Sequence, residues 1–203
     1  MRLITTHMSA DFDAFASALC AVRLYPGYRI LFPGSLEVTV RRFLRETQLP
    51  FPEIKMREAR RSLLEHVVVV DTHNPKRLGE VGKMIEASGC RVTVIDHHET
   101  DASTLKGDEI YIRQLGATCT LISSMMREKG LQPTPDEASL LLMGIYEDTG
   151  GLSFVDTTAE DLREVAFLLE GGGHLQWVRR WILKGLEPEQ LAMLNRLVEG
   201  MEE

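Results

Sequence analysis

Val67-Val68-Val69-Val70 is apolar at every position, so any strand it forms must be covered on both faces, as a central strand of a parallel sheet is. Other short β-rich runs lie on either side of it along the chain: Leu3 to Thr6, Tyr28 to Phe32, Arg91 to Ile95 and Glu109 to Ile112. Helical patterns separate them. Asp11 to Tyr25 is rich in small and apolar residues and stops at Pro26-Gly27; Leu36 to Gln48 is amphipathic and stops before Pro50; Pro75 to Ala87 stops at Gly89. This alternation predicts an α/β fold, a mainly parallel sheet flanked by helices. From Ala117 onward only helices are expected, over Ala117 to Lys129, Pro135 to Glu147, Thr158 to Leu169, Leu175 to Leu183 and Glu187 to about Glu202. Gly171-Gly172-Gly173 follows a helix and lacks a phosphate-loop lysine, so it is read as a helix stop.

With 203 residues, 44% hydrophobic and 26% charged, the chain can bury a real core. Its longest apolar run, Leu140 to Ile145, falls far short of the roughly 18 residues of a membrane helix. The opening Met1 to His7 turns polar at once and lacks a secretory signal, so a cytoplasmic protein with no membrane partner is expected. Cys20, Cys90 and Cys119 are odd in number and widely spaced, which fits reduced structural thiols and no zinc site. A net charge of −7 argues against tight duplex binding and is natural for a carboxylate cluster that divalent cations neutralise.

In parallel α/β sheets, ligands bind beyond the carboxyl ends of the strands. After the first run come His7, Asp11 and Asp13; after the valine run comes Asp71; after Arg91 to Ile95 come Asp96, His97 and His98. Asp148 closes the helix ending at Glu147. Five of the ten aspartates and three of the six histidines thus occupy four places, which asks for a common cause. Mixed imidazole and carboxylate donors suit Mn²⁺, Fe²⁺, Co²⁺ or Mg²⁺. The carboxylates Asp11, Asp13, Asp71 and Asp148 would balance two divalent ions, the standard device for attack on phosphorus.

Taken singly, each of these residues has a plainer reading: Asp11 as a helix N-cap, Asp71 as a turn residue, Asp148 as a solvated helix end. Jointly those readings weaken, and the adjacent Asp96-His97-His98 is costly to bury without partners. His66 and His73 fit no ligand pattern and are expected at the surface. Met125, Met126 and Met143 read as core filling, and Arg57, Arg60 and Arg61 as a solvated helix face.

His7-x-x-x-Asp11-x-Asp13-x-x-x-Ser17, then Asp71, then Asp96-His97-His98, then Gly144-Ile145-x-x-Asp148-Thr149 resemble the four ordered motifs of the DHH phosphoesterase family, RecJ-like enzymes among them. Ile4 to Ser17, Leu24 to Gly27 and Leu31 to Ser35 further resemble the N-terminal domains of bacterial proteins that add CBS domains and a tRNA nucleotidyltransferase or poly(A) polymerase module. The resemblance implies that His7 and Asp11 bind one metal, that Asp13, His97 and Asp148 bind a second, and that Asp71 bridges them. The two metals, Mn²⁺ first with Mg²⁺ or Co²⁺ as alternatives, activate a water for attack on phosphorus. His98 is then the phosphate-contacting imidazole and proton donor, catalytic together with Asp71, while Asp96 orients a histidine and Ser17 is structural.

Hydrolysis of phosphodiester or phosphomonoester bonds in short single-stranded RNA or DNA or in nucleotides follows as the expected activity. A non-catalytic nucleotide-sensing module and a family II pyrophosphatase or exopolyphosphatase-like enzyme are the competing readings. Residues 1–185 are expected to form the DHH domain and residues 186–203 a helix leading to a missing second domain that clamps the substrate. One departure is visible. Phe12 stands where the family commonly has glycine, and its bulk is expected to narrow the mouth of the metal pocket.

Overall fold

A computed structural model describes residues 1–100, 104–183, 192–193 and 196–197. Five strands, β1 (Arg2–Thr5), β2 (Arg29–Leu31), β3 (His66–Val70), β4 (Arg91–Asp96) and β5 (Glu109–Ile112), form one sheet in the order β2-β1-β3-β4-β5. Every pairing is parallel. The helices are α1 (Phe12–Leu24), α2 (Val38–Thr47), α3 (Met56–Ala59), α4 (Gly79–Ser88), α5 (Thr118–Glu128), α6 (Pro135–Asp148), α7 (Ala159–Glu170) and α8 (Leu175–Trp181). A 3₁₀ turn over Pro75–Leu78 leads into α4, so the single helix expected from Pro75 is two elements. The solvated helix face expected from Arg57, Arg60 and Arg61 is the single-turn α3, which ends at Ala59 and holds only Arg57 of the three. The helix expected over 187–202 lies almost wholly outside the described residues.

The valine run behaves as its composition demands. Val67 and Val69 face a cluster with Leu3, Val92, Val94 and the α4 residues Val81 and Ile85. Val68 and Val70 face the larger core, with Ile4, Ile95 and residues of α1, α5 and α6. All four valines are fully buried, each worth about 1.5–3 kcal/mol relative to exposure. A helical layer on each face is what lets β3 pair on both edges without a polar side.

Phe12 does not narrow any mouth. Its ring is fully buried and meets Phe43 of α2 edge-on with centroids 5.5 Å apart, so it joins α2 to α1 behind the strand ends. The first helical position points its side chain into the core here, while its backbone N–H turns the other way to Glu147 Oε2 at 2.6 Å.

Candidate metal centre

From β1 the chain passes to β2 on one side, and from β3 it passes to β4 on the other, so the sheet order reverses between β1 and β3. A crevice at the carboxyl ends of these strands is where an open α/β sheet binds ligands. His7 follows β1 into it. Its Nδ1 lies 2.8 Å from the Met8 carbonyl, to which the N–H donates, leaving Nε2 turned to Asp71 Oδ2 at 3.1 Å. Burial works against a charge on this ring, but the Asp71 hydrogen bond and charge outweigh it and hold the His7 pKa above its ordinary value.

Asp71 ends β3 with φ +58°, a left-handed conformation that costs a non-glycine residue about 1–3 kcal/mol and recurs at functional sites. Its N–H continues the ladder to the Ile95 carbonyl at 3.0 Å, and its Oδ1 accepts from Thr118 Oγ1 at 2.8 Å. Burial alone would raise its pKa. The His7 hydrogen bond and the charges of His97, His7 and His98 instead hold it below the ordinary carboxylate value.

Asp11 is indeed the N-cap of α1, accepting from the Ala14 N–H at 3.0 Å, yet it also belongs to the crevice. Burial, with the Asp71 charge behind it, lifts its pKa to about 6. One helical step on, Asp13 is fully buried and receives the N–H groups of Thr118 and Cys119, both at 2.8 Å. These open α5, whose N-terminal dipole favours an anion. Burial and the charges of Asp71 and Asp148 nevertheless push Asp13 well above the usual carboxylate range.

Gly144 permits this packing of α1 on α6. A Cβ there would lie 2.4 Å from Cys119 Sγ and 2.9 Å from Asp13 Cα. Ser17 is buried and donates to Cys119 Sγ at 3.4 Å, a structural contact as expected.

His97 donates through Nδ1 to the Leu115 carbonyl at 3.0 Å. Its buried Nε2 faces two carboxylates, Asp148 Oδ2 at 3.1 Å and Asp71 Oδ1 at 3.7 Å, as ion-pair partners without a hydrogen bond to either. Burial opposes its charge, while Asp148, Asp13 and Asp71 overcome that and raise its pKa to about 10. Asp96 is fully buried; Oδ1 accepts from His98 Nδ1 at 2.7 Å and Oδ2 from His73 Nδ1 at 2.6 Å. His73 is therefore a buried partner of this cluster and no surface residue. His66, half-buried, bridges Tyr28 Oη at 2.7 Å and Thr93 Oγ1 at 2.8 Å at the opposite ends of the strands.

Three groups of donor atoms lie within 4.8 Å of one another: His7, Asp11 and Asp71; Asp13, Asp71, His97 and Asp148; and Asp71, Asp96, His97 and His98. Asp71 belongs to all three. At an effective dielectric near 20, like charges about 4 Å apart repel by on the order of 4 kcal/mol, so such a set calls for protons or cations. Imidazole nitrogens with fixed tautomers, carboxylate oxygens and the buried His97 Nε2 fit divalent cations. A cleft of about 510 Å³ opens beside them, lined among others by His97, His98, Asp148, Gln114 and Thr157.

Sequence reasoning missed four supports of the centre: His73, Thr118, the Leu115 carbonyl, and Glu147, whose pKa burial and then Asp11 lift to about 8. Backbone donors and a histidine three positions past β3 leave no pattern in one sequence. Glu147 was readable only as the neighbour of Asp148.

A parallel sheet with helices on both faces and this cluster of carboxylates and imidazoles at its switch point defines a class of α/β proteins with a candidate metal centre beyond the strand ends. The chain belongs to the DHH family, whose N-terminal domain matches over residues 2–145. It is 35% identical over 202 residues to the A-adding tRNA nucleotidyltransferase of Geobacter sulfurreducens, spanning 99% of this chain and 23% of that relative. It is 31% identical over 183 residues to the "Probable manganese-dependent inorganic pyrophosphatase" of Deinococcus radiodurans, spanning 85% and 54% of the two. Its fold matches that of an exopolyphosphatase-related protein from Bacteroides fragilis with a TM-score of 0.80, at 17% identity, over 98% of this chain and 60% of that one. No helix among the described residues is long and apolar enough to cross a membrane.

Proposed function

We propose that this chain is a metal-dependent phosphoesterase domain that hydrolyses phosphodiester or phosphomonoester bonds in short single-stranded nucleic acid or nucleotides. In this reading His7 and Asp11 would hold one ion, Asp13, His97 and Asp148 would hold a second, and Asp71 would be the donor shared by both. The observation that carries it is Asp71, whose carboxylate is common to every donor group and whose strained backbone aims it between them. Mn²⁺ is the ion favoured by the mixed donor set and by the manganese-dependent relative. Bound divalent ions supply charge neutralisation at the phosphoryl oxygens and acidify water.

The chain's own residues do the rest. Asp96 takes the Nδ1–H of His98, so the imidazolium form of His98 would give its Nε2 proton to the leaving oxygen and become the neutral Nδ1–H ring; the side chain is 44% exposed, open to substrate. The Met8 and Leu115 carbonyls fix the tautomers of His7 and His97. The A-adding relative, of which this chain spans 23%, supports a place for the chain within a larger tRNA nucleotidyltransferase-type protein; in this reading residues 1–185 would be its DHH domain and residues 186–203 would lead to a further domain that clamps substrate.

The competing reading of a non-catalytic module drew on Phe12, whose ring packs against Phe43 and is not among the residues that line the cleft. The test is phosphate or nucleotide release by Mn²⁺-loaded protein from short RNA, nucleoside phosphates and pyrophosphate, with Asp71→Asn alongside. Hydrolysis of an ester substrate that Asp71→Asn abolishes supports the proposal. Release of phosphate from pyrophosphate alone, or of nothing, contradicts it.

A further inference from the structure

Asp161 lies on α7, outside every donor group of the crevice, yet it is fully buried. Among the described residues it has no cationic partner. Its carboxylate instead collects hydrogen bonds: the Gly116 N–H at 3.1 Å on Oδ1 and 3.0 Å on Oδ2, Thr120 Oγ1 at 2.5 Å, the Thr158 N–H at 2.6 Å and Thr158 Oγ1 at 2.7 Å. The bond from the Thr158 N–H is one half of a capping box for α7, whose other half is the Asp161 N–H to Thr158 Oγ1 at 3.4 Å. A cap needs nothing from Gly116 or Thr120, so half of this carboxylate's bonding serves another purpose.

Gly116 lies in the segment 115–119, and that segment grips three of the crevice residues. The Leu115 carbonyl takes the His97 N–H, Thr118 N–H and Cys119 N–H hold both oxygens of Asp13, and Thr118 Oγ1 holds Asp71. The approach is close enough to exclude a side chain at 116, where a Cβ would stand 2.7 Å from Asp161 Oδ2 and 2.5 Å from Thr149 Cγ2. Thr149 directly follows Asp148.

From this geometry we infer that Asp161 is a positioning residue that anchors the 115–119 segment and thereby sets the geometry of the second ion's donors, Asp13, His97 and the bridging Asp71. The inference rests on the reading of the crevice as a metal centre. Glu164, also fully buried on α7, gives a matched control: it bonds Ser123 at 2.6 Å and Arg127 at 2.6 Å on α5 and makes no hydrogen bond to the 115–119 segment.

The test is Mn²⁺ titration by calorimetry of wild type, Asp161→Ala, Asp161→Asn and Glu164→Ala, with amide hydrogen exchange of the metal-free proteins. Asp161→Ala should weaken one of two Mn²⁺ sites by about 10–100-fold and leave the other within a few-fold, as loss of outer-shell support does. Asp161→Asn, which keeps an acceptor for Gly116, should fall between, and Glu164→Ala should keep both sites. In exchange, the Thr118 and Cys119 amides should lose protection in Asp161→Ala and keep it in Glu164→Ala.

Equal weakening by Asp161→Ala and Glu164→Ala, or unchanged Mn²⁺ binding and protection in Asp161→Ala, overturns the inference. If Asp161→Ala does not fold, Asp161→Asn against Glu164→Gln decides by the same readings. Absence of Mn²⁺ binding in wild type would sink the metal reading itself, and the exchange data would still show whether Asp161 holds the segment.

Discussion

His73 Nδ1 lies 2.6 Å from Asp96 Oδ2, and the other oxygen of that fully buried carboxylate accepts from His98 Nδ1, so Asp96 is clamped between two imidazoles. Only one of them reaches the cleft. Removing His73 should free Asp96 to turn and loosen His98 without touching substrate. His73→Ala should lower kcat by about 10-fold or more with KM little changed. The loss should be larger for a poor alkoxide leaving group than for a p-nitrophenyl ester, which leaves without a proton. Equal slowing of both would show that His73 does not act through His98.

Phe12 offers a test of stability separated from the site. It is fully buried against Phe43, so Phe12→Ala should cost about 3–5 kcal/mol. On a scale of about 2–4 °C per kcal/mol for a domain of this size, Tm should fall by about 6–20 °C while Mn²⁺ stoichiometry stays at the wild-type value. A faster exchange of bound metal with no change in Tm would restore the idea that Phe12 guards the mouth.

Gly144→Ala should act on the site through packing. The new Cβ would overlap Cys119 Sγ and crowd the Asp13 backbone, both held in place by α5 and α1. Destabilisation of about 1–3 kcal/mol and weaker Mn²⁺ binding are expected, with Cys119→Ala in the same chain restoring part of the stability. Thermal unfolding and Mn²⁺ titration check this. Wild-type Mn²⁺ affinity in Gly144→Ala would mean that α6 can shift without moving Asp13.

The pH dependence of the metal-free protein has a definite sign. Asp11 and Glu147 have folded pKa values raised to about 6 and about 8, so ionising them penalises the fold as pH climbs from about 4 to 8. His97, raised to about 10, contributes stability that is complete below about 6.5 and lost as pH rises through 10. Asp71 is shifted the other way, so its contribution is lost only on acidification below the ordinary carboxylate range. From pH 6 to pH 8.5 Glu147 and His97 act together, the Asp11 penalty being nearly complete by pH 6, and chelator-treated protein should melt lower at pH 8.5. Millimolar Mn²⁺ should reverse the trend, since metal competes with the protons held there. A Tm of the chelated protein that rises from pH 6 to 8.5 would contradict this.

Much of this architecture was legible because period and punctuation agree in the strands and long helices. The all-valine run placed β3 at the centre, and Pro26-Gly27 and Gly89 stopped α1 and α4 close to where the chain does. The crevice residues were legible because strand ends in a parallel sheet converge, so aspartates far apart in sequence meet in space. What escaped was the support. His73 reads as a surface residue until the fold lays it on Asp96, and nothing in the sequence ties Asp161 to the crevice until Gly116 is seen against it. The direction of the Phe12 side chain also depends on α2, which packs against it from more than 25 residues away along the chain.

The central claim is that Asp71 joins two metal ions. Loading chelator-stripped protein with Mn²⁺, counting bound metal, and recording its electron paramagnetic resonance test it most directly. Wild type and Asp136→Ala, a change on the exposed first turn of α6, should bind two Mn²⁺ per chain with the spectrum of an exchange-coupled pair. Asp71→Ala should lose the coupled signal and more metal than any other single substitution. One isolated Mn²⁺ per wild-type chain, or equal retention in Asp71→Ala and Asp136→Ala, would contradict the account.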